Sequence, residues 1–207
     1  MNKGKVLIIS GPSGVGKGTV VQELLKKDKG TVVSVSATTR APREGEIDGV
    51  HYFFISKAEF IKKIENEEML EFNKYNENYY GTMNDYVQSL LEQGKNVILE
   101  IDVNGAYQVK NKRADVITIF MTAPSVEEVE RRLRKRNSED EEAIQNRLQI
   151  AESEMKHAEE YDYIVCNDSV ENAVDKIIEI AEKGDIVITM GGGDIYKAAH
   201  IVQEKLG

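Results

Sequence analysis

The chain has 207 residues, 41% of them hydrophobic, and a formal net charge of -9. This length and composition exclude a largely disordered protein and predict one domain with insertions. The acidic balance argues against broad binding to nucleic acid or to a membrane surface, because both depend on basic patches. An anionic ligand must therefore be met by positive charge that is placed locally.

No part of the chain resembles a secretory or membrane signal. The N-terminal apolar run at residues 6–9, "VLII", is four residues long, whereas a helix that spans a bilayer needs about 20 apolar residues. The single cysteine, Cys166, cannot form an internal disulfide and is predicted to be a buried apolar residue. These features predict a soluble protein of the cytoplasm.

Runs rich in valine and isoleucine alternate with longer segments of helical period, which is the pattern of a parallel sheet flanked by helices. The predicted strands cover residues 5–10, 32–36, 96–102, 115–121, 163–167 and 185–190. The predicted helices cover residues 17–27, 57–68, 84–94, 125–136, 140–160 and 169–183. Ser125 with Glu128 forms a capping box at a helix start, and Ser169 with Asn172 forms a weaker one.

Two regions interrupt this alternation. Residues 37–83 are polar, contain turn signals such as "APREGEIDG" and are rich in tyrosine and phenylalanine, which predicts a small inserted subdomain. Residues 125–150 are highly charged without a strand pattern, which predicts a helical lid. The predicted core then consists of residues 1–36, 84–124 and 151–183.

The segment "GPSGVGKGT" fits G-x-x-x-x-G-K, with Gly11, Gly16 and Lys17 between a predicted strand and a predicted helix. Glycines allow consecutive N–H groups to point inward, and the helix N-terminus and the lysine add positive charge, so the loop predicts a polyphosphate ligand such as ATP. Gly18 stands where the strict pattern has Ser or Thr, so Thr19 is the predicted source of the hydroxyl that helps to hold Mg²⁺. The predicted loop contacts are Gly11, Ser13, Gly14, Val15, Gly16, Lys17, Gly18 and Thr19.

This loop also occurs in ATP and GTP hydrolases, so it does not specify the reaction. A GTP switch protein needs the guanine-binding pattern N-K-x-D, and in "NKRAD" at residues 111–115 the aspartate lies one position too far along. The form G-K-G-T is typical of nucleotide kinases that phosphorylate small acceptors.

Two further pairs of charged residues indicate a second ligand. Arg40 and Arg43 lie three residues apart beside the turn "EGEIDG" and are suited to a phosphate, although surface arginines near a turn are the alternative interpretation. Glu100 and Asp102 end an aliphatic strand and lie on one face of it. In open α/β sheets, the carboxyl end of a strand is the usual position of the ligand crevice.

Five of the eight arginines fall between residues 131 and 147. On a solvated helix they would pair with glutamates four residues earlier, as Glu127 with Arg131, Glu128 with Arg132 and Glu130 with Arg134. The alternative is a lid whose cations close over a phosphoryl group during transfer, because that reaction spreads negative charge and needs little covalent help from the protein.

Taken together, "GPSGVGKGT", "TTRAPREGEIDGVHYFF", "NYYGT" and "LEID" resemble the guanylate kinase family, in order and spacing from about residue 5 to residue 183. The resemblance implies phosphoryl transfer from ATP to GMP, giving ADP and GDP in purine nucleotide metabolism, with Mg²⁺ as cofactor. It implies an α/β fold of the P-loop three-layer sandwich type, with a central parallel sheet, a GMP-binding insertion and a helical lid.

The resemblance implies an acceptor site in which a carboxylate, Glu71, accepts hydrogen bonds from the N1 and N2 donors of guanine. Adenine lacks that donor pair and would leave the carboxylate unsatisfied. Asp102 is the expected contact of the guanine amino group and Glu100 the expected holder of water around Mg²⁺, with the two roles exchangeable. The full set of predicted GMP contacts is Ser36, Arg40, Arg43, Tyr52, Glu71, Tyr80, Thr82 and Asp102.

On the donor side, the resemblance implies four catalytic cations, and no general base is predicted. They are Lys17, Arg132, Arg136 and Arg147, which leaves Arg131 and Arg134 as surface partners. Asn167 is the predicted contact of the donor adenine.

Two rival functions follow from the same residues. Glu71 and "NYYGT" argue against an AMP or UMP kinase. Gly16, Lys17 and Thr19 argue against a non-catalytic, guanylate kinase-like binding module, which typically lacks a working phosphate loop.

Residues 184–207 extend beyond the usual end of the family. Their pattern predicts a strand, a glycine turn and a helix, and "DIVITMGGGDIYK" resembles the closing segment of the ligases that join muramic acid to amino acids. We interpret this short segment as a structural addition.

Overall fold

The computed structural model describes residues 3–135 and 141–183. Its strands are β1 (Val6–Ser10), β2 (Thr31–Val33), β3 (Ala37–Thr38), β4 (Phe53–Phe54), β5 (Met69–Tyr75), β6 (Asn78–Met83), β7 (Asn96–Glu100), β8 (Val116–Thr122) and β9 (Tyr163–Cys166). Its α-helices are α1 (Lys17–Lys27), α2 (Lys57–Glu65), α3 (Asn84–Glu92), α4 (Val103–Lys112), α5 (Val126–Lys135), α6 (Glu141–Met155) and α7 (Val170–Lys183). No helix in this part of the chain is long and apolar enough to cross a membrane.

The chain divides into two compact units. Among the described residues, the first unit contains residues 3–6 and Gly30–Val116, and the second contains Leu7–Lys29, residues 117–135 and residues 141–183. Both units combine helices with parallel strand pairs, β2 with β7 in the first and β8 with β9 in the second. The predicted α/β fold class with a parallel sheet is therefore confirmed.

The first unit also contains a four-stranded sheet in the order β4-β3-β6-β5, within the region predicted as an insertion. The long strands β5 and β6 form an antiparallel hairpin, and β3 pairs antiparallel with β6 and parallel with β4. One face of this sheet packs on a small core that includes Phe60 and Met69, both fully buried, with the ring of Tyr79 stacked on Phe60. The opposite face is free to line a ligand site.

Helix α4 packs against the edge strand β5 and fixes its position. The side-chain amide of Gln108 forms two hydrogen bonds with the main chain of Phe72, at 3.1 and 3.0 Å. The ammonium of Lys112 donates to the carbonyl of Met69 at 2.8 Å. Because these bonds occupy main-chain groups of an edge strand, they hold the strand in one register against the helix.

In the second unit, strands lie in the order β1, β8, β9, with all five residues of β1 buried. Helix α1 packs on α7, and helix α5 buries Val129 and Leu133 on one face. The apolar, β-branched strands and the amphipathic helices together give this unit its core.

The predicted elements agree with the structure where their pattern is local and strong. Helix α1 has its predicted bounds, and the hydroxyls of Ser125 and Ser169 accept main-chain bonds at the starts of α5 and α7, at 3.3 and 3.2 Å. The prediction of a strand over 32–36 is wrong beyond Val33, and the helix predicted over 140–160 ends at Met155 before a short 3₁₀ turn. The strand predicted at 185–190 lies outside the described residues, as does the whole 184–207 segment.

Candidate functional site

The glycine loop lies in the second unit, between β1 and α1. Gly11, Gly14 and Gly16 have φ angles of 140°, 88° and 93°, a range that side chains rarely adopt. A Cβ atom on Gly11 would lie 2.2 Å from the carbonyl oxygen of Met121. Glycine is therefore required at Gly11 both by its backbone angles and by the close approach of β8.

Lys17, the first residue of α1, extends back over this loop. Its ammonium donates to the carbonyls of Gly11 and Pro12, the second at 3.1 Å. The ammonium and the N-terminus of an 11-residue helix thus place positive charge at the same loop. That combination is the physical basis of a phosphate site.

Arg132 and Asn167 both hold the loop at the main-chain carbonyl of Val15. The guanidinium of Arg132 donates to the carbonyl of Val15 at 2.9 Å and to that of Asn167 at 3.0 Å, and the Asn167 amide donates to the same Val15 carbonyl at 2.7 Å. The carboxylate of Glu128 accepts from Arg132 at 2.7 Å, and its pKa falls to about 2, first because of Arg131 and then because of Arg132. Arg132 is thus held by groups of α5, the loop and the segment after β9.

The other lid arginines have separate partners. Arg147 of α6 donates to the hydroxyl of Ser13 in the loop at 2.8 Å. Arg134 pairs with Glu130 and also with Glu141. Of the three pairs in the solvated-helix interpretation, Glu128 with Arg132 and Glu130 with Arg134 are present. Arg131 pairs with Glu128, three residues earlier on the helix, and not with Glu127.

Thr19 lies in the first turn of α1 and is exposed. Among residues 3–135 and 141–183, no group of three or more His, Cys, Asp or Glu side chains is arranged to hold a metal ion. This part of the chain therefore has no acidic cage that would hold a divalent cation by itself.

The first unit contains a cavity of about 360 Å³. Its lining combines three carboxylates, three tyrosines, two small polar side chains and two apolar residues: Ser36, Tyr52, Glu71, Asn73, Tyr75, Tyr80, Gly81, Glu100, Ile101 and Asp102. Such a mixture of aromatic rings and convergent polar groups is typical of a small-molecule site.

Glu71 is the buried charge of this cavity, with 6% of its surface exposed. Its carboxylate accepts a hydrogen bond from the hydroxyl of Thr82 at 2.7 Å, across the β5–β6 pair. The pKa of Glu71 is raised to about 7, chiefly by burial and also by the charge of Asp102, while the Thr82 bond and Lys112 oppose the shift. Hydrogen-bond donors from a ligand would stabilise the ionised form of this buried carboxylate.

Asp102 lies beside Glu71 at the start of α4. One of its oxygens accepts from the main-chain N–H of Gly105 at 2.7 Å, and the other accepts from the amide of Asn73 at 3.2 Å. A Cβ on Gly105 would lie 3.2 Å from Glu71 and 3.4 Å from Asp102. The absence of a side chain at Gly105 lets both carboxylates approach the first turn of α4.

Arg40 lies near the aromatic end of the site. It forms two hydrogen bonds to Glu46, at 2.9 and 2.8 Å, and its guanidinium lies 5.5 Å from the centre of the Tyr52 ring. The pKa of Arg40 is raised, chiefly by Glu46 and to a smaller degree by Tyr80. The side chain of Arg43 is exposed, while its main-chain N–H donates to the Glu46 carboxylate at 2.6 Å and its carbonyl accepts from the Glu46 N–H at 3.0 Å.

Comparison with known proteins identifies the family. The family profile described as guanylate kinase matches residues 3–184. The guanylate kinase of Mesoplasma florum is 53% identical over 180 residues, 86% of this chain and 61% of its own length, and that of Clostridium perfringens (strain SM101) is 48% identical over 184 residues, 88% and 85%. A crystal structure of guanylate kinase from Anaplasma phagocytophilum matches with a TM-score of 0.67 and 33% identity, covering 89% of this chain and 88% of that one.

The chain belongs to the guanylate kinase family. The predicted family, fold class and enzyme class are therefore confirmed. The chain spans 61% of the length of the Mesoplasma florum relative, so that relative contains additional sequence.

The structure brings the predicted guanylate kinase residues into two groups. In the second unit, Ser13, Val15, Lys17, Arg132, Arg147 and Asn167 lie on or against the glycine loop. In the first unit, the cavity lining contains Ser36, Tyr52, Glu71, Tyr80, Glu100 and Asp102, with Thr82 bonded to Glu71 and Arg40 beside Tyr52. The exposed Arg43 is not in that lining, and Arg136 lies outside the described residues.

Sequence reasoning missed three residues of the first unit. Asn73 and Tyr75 line the cavity, and Glu46 orients Arg40. A signal for Asn73 and Tyr75 was present, because they follow Glu71 at intervals of two, the period of one strand face. Glu46 gave no such signal, since its pairing with Arg40 is set by the fold of the intervening turn.

Proposed function

We propose that the chain transfers the γ-phosphoryl group of ATP to GMP, with the donor on the glycine loop of the second unit and the acceptor in the cavity of the first. The observation that carries the choice of acceptor is Glu71, a buried carboxylate with a pKa near 7 inside that cavity. Family membership supports the reaction, because its named relatives are guanylate kinases.

The base end of the acceptor is recognised by carboxylates. Guanine carries N–H donors at N1 and N2 on one edge, and Glu71 and Asp102 supply the matching acceptors. Adenine presents an unprotonated N1 on that edge and would leave buried oxygens without a partner, a loss of about 1.5–3 kcal/mol. Ser36 and Thr82 complete the proposed base contacts, with Thr82 acting through Glu71.

The phosphate end is held by Arg40, Arg43, Tyr52 and Tyr80. Glu46 already orients Arg40 in the ligand-free protein, so little side-chain freedom is lost when a phosphate binds. Arg43 is exposed, so its guanidinium is accessible to the phosphate. Phenol hydroxyls add neutral donors, which suits a dianion.

The donor phosphates bind to the main-chain N–H groups of the loop. The Lys17 ammonium then exchanges the carbonyls of Gly11 and Pro12 for phosphate oxygens, which are stronger acceptors for a cation. Asn167, held against Val15 and followed by the exposed Asp168, contacts the adenine in this proposal.

The residues fit a magnesium ion that is held mainly by the nucleotide. Mg²⁺ is usually bound through phosphates, waters and one or two protein groups, and the exposed hydroxyl of Thr19 can supply such a group. The role of Glu100 or Asp102 as a holder of the ion's water stays a prediction. When bound, the ion neutralises charge on the phosphate oxygens.

Catalysis rests on positioning and on charge. Lys17, Arg132 and Arg147 stabilise the negative charge that develops on the phosphoryl group, and no general base is proposed. Arg147 now donates to Ser13 and would turn to the transferring group. The proposed role of Arg136 stays a prediction.

We test the function by measuring turnover with GMP, AMP and UMP for the wild-type chain and for Glu71→Gln. The wild type should prefer GMP, and Glu71→Gln should lose about 10- to 100-fold in kcat/KM for GMP with its ATP affinity unchanged. Glu65→Gln, at the exposed end of α2, is the matched control. A preference for AMP would refute the acceptor, and failure to bind ATP in calorimetry would indicate a non-catalytic module.

A cytoplasmic location and a place in purine nucleotide metabolism are further parts of the proposal. The metabolic role follows from the acceptor and donor that the reaction uses, and it depends on GMP being the preferred substrate in the turnover assay.

A further inference from the structure

The face of β5 that carries Glu71 continues beyond it. Residues two apart on a strand point to the same side, so Glu71, Asn73 and Tyr75 form one row. All three line the acceptor cavity. Opposite them on β6, the register places Thr82, Tyr80 and Asn78 in the same order.

Tyr75 is an exposed aromatic residue at the outer end of this row. Its surface is 67% exposed, although it lines the cavity. The hairpin turns directly after it through Asn76 and Glu77, whose φ angles are 46° and 64°, the combination of a tight two-residue turn. The position of Tyr75 is therefore fixed by the backbone, and its ring has apolar area left to bury against a ligand.

Asn73 lies between Glu71 and Tyr75 and connects the row to α4. Its amide donates to one oxygen of Asp102 at 3.2 Å, while the other Asp102 oxygen accepts from the N–H of Gly105. The Asp102 carboxylate is thus held from two sides. Loss of the Asn73 amide would leave it held only by the helix start.

We propose that the acceptor site extends along β5 to Tyr75, whose ring packs against the nucleoside of the bound monophosphate, while Asn73 is a positioning residue for Asp102. This inference rests on the proposed function, because it assumes that GMP is the ligand of the cavity. It adds an apolar contact and a fixed acceptor to the polar contacts proposed above.

Kinetic measurements on variants of Tyr75 test the stacking contact. Tyr75→Ala should raise KM for GMP about three- to tenfold, with kcat and KM for ATP unchanged, and Tyr75→Phe should behave as the wild type. Tyr107→Ala is the matched control, because Tyr107 is 64% exposed on α4 and is not among the cavity residues. An unchanged KM in Tyr75→Ala, or an equal rise in Tyr107→Ala, would overturn the contact.

A protection experiment tests the same contact without turnover. Tetranitromethane nitrates exposed tyrosines, and mass spectrometry measures the extent at each site. GMP should slow nitration of Tyr75 and leave Tyr107 unaffected. Equal nitration rates at Tyr75 with and without GMP would refute the proposed contact.

The role of Asn73 is tested by comparing GMP with IMP, which lacks the amino group at C2. If Asn73 holds Asp102 against that amino group, Asn73→Ala should reduce the ratio of kcat/KM for GMP to that for IMP about three- to tenfold. An unchanged ratio would overturn the positioning role. If kcat/KM falls equally for both substrates, the ratio is unchanged and the loss reflects only a folding effect.

The two proposals fail in different ways. A wild-type chain that does not phosphorylate GMP, although GMP protects Tyr75, would refute the proposed reaction and leave the binding contact in place. An active wild type with unprotected Tyr75 would refute the contact alone.

Discussion

The loop in the second unit and the cavity in the first bind their proposed ligands with different chemistry. The loop presents main-chain groups, and the side chains against it, Lys17, Arg132 and Arg147, are cations bonded to carbonyls or a hydroxyl. The cavity presents side chains, and its central group is a buried carboxylate. A polyphosphate is recognised by charge, which main-chain dipoles and half-buried cations supply, whereas a base is recognised by the pattern of its donors.

The two arrangements also carry different costs. The pKa of Glu71 is raised to about 7, chiefly by burial, so ionisation of this carboxyl is unfavourable until a ligand donor binds it. At the loop, the unfavourable term is the conformational entropy that its glycines lose on folding into positive φ angles. Changes at the two sites should therefore alter different kinetic and thermodynamic quantities.

The largest effect is expected at the loop. Lys17→Ala removes the ammonium that stabilises the transferring group, so kcat should fall about 10³-fold with GMP affinity unchanged. Lys26→Ala, on an exposed turn of the same helix, should keep full activity. Steady-state kinetics with calorimetry of GMP binding would measure both, and a Lys17→Ala enzyme with normal kcat would remove the basis of the donor site.

The lid arginines should separate into catalytic and surface groups. Arg147→Ala is expected to reduce kcat about 10²-fold, because the side chain that now bonds Ser13 is proposed to reach the phosphoryl group. Arg134→Ala loses only its exposed pairs with Glu130 and Glu141 and should stay within about twofold of wild type. Equal activities of the two variants would contradict the assignment.

The acceptor cavity should respond to pH in a way that the loop does not. GMP donors favour ionised Glu71, so KM for GMP should rise as pH falls below about 7, approaching tenfold per pH unit. The phosphate of GMP titrates near pH 6 by itself. In Glu71→Gln, the plot of KM for GMP against pH should therefore keep only the lower midpoint, which belongs to the phosphate of GMP. A plot with the same midpoint as the wild type would show that Glu71 is not the titrating group.

Thr82→Val sharpens the same measurement. Its hydroxyl bond to Glu71 lowers the pKa of that carboxyl, so removing the bond should move the midpoint to higher pH. A midpoint that stays fixed would mean that the hydroxyl does not stabilise the ionised form.

The smallest expected effect is on stability. Because the pKa of Glu71 is raised on folding, the folded chain binds this proton more tightly than the unfolded chain, and stability is lost as pH rises from about 4.5 to about 7. Without GMP, the free energy of unfolding of Glu71→Gln should exceed that of the wild type above pH 7 by at most about 3 kcal/mol. The difference should vanish below pH 4.5. Urea unfolding at pH 4.5 and 8 would measure it, and the same difference at both values would exclude titration as the cause.

The parts of the molecule that were predictable depend on neighbours in sequence. The glycine loop follows directly from β1 and precedes α1, so its strand, glycines and lysine lie within 12 residues that the sequence shows together. The capping serines at α5 and α7 act on the residues three positions later. Glu71, by contrast, was assigned through resemblance, because a glutamate on a polar segment has the pattern of a solvated residue.

The parts that were missed depend on partners far along the chain. Helix α4 was not predicted, since "VNGAYQVKNK" has few apolar residues and an internal glycine. It is a helix because Asp102 caps it and because it buries Ala106 and Val109, with Gln108 and Lys112 bonded to the segment around β5. The strands β3 to β6 were missed for a similar reason, because their apolar residues face a small core that only pairing creates.

The sequence by itself determined the chemical inventory: a phosphate loop, a set of arginines and the motifs of one family. It did so because those signals are local or occur in a fixed order. Only the tertiary structure decided which arginine holds the loop, which carboxylate is buried and which side chains meet in the cavity. Arg132 and Val15 are 117 residues apart, and Asn73 and Asp102 are 29 apart, so no short segment of the sequence contains both members of such a pair.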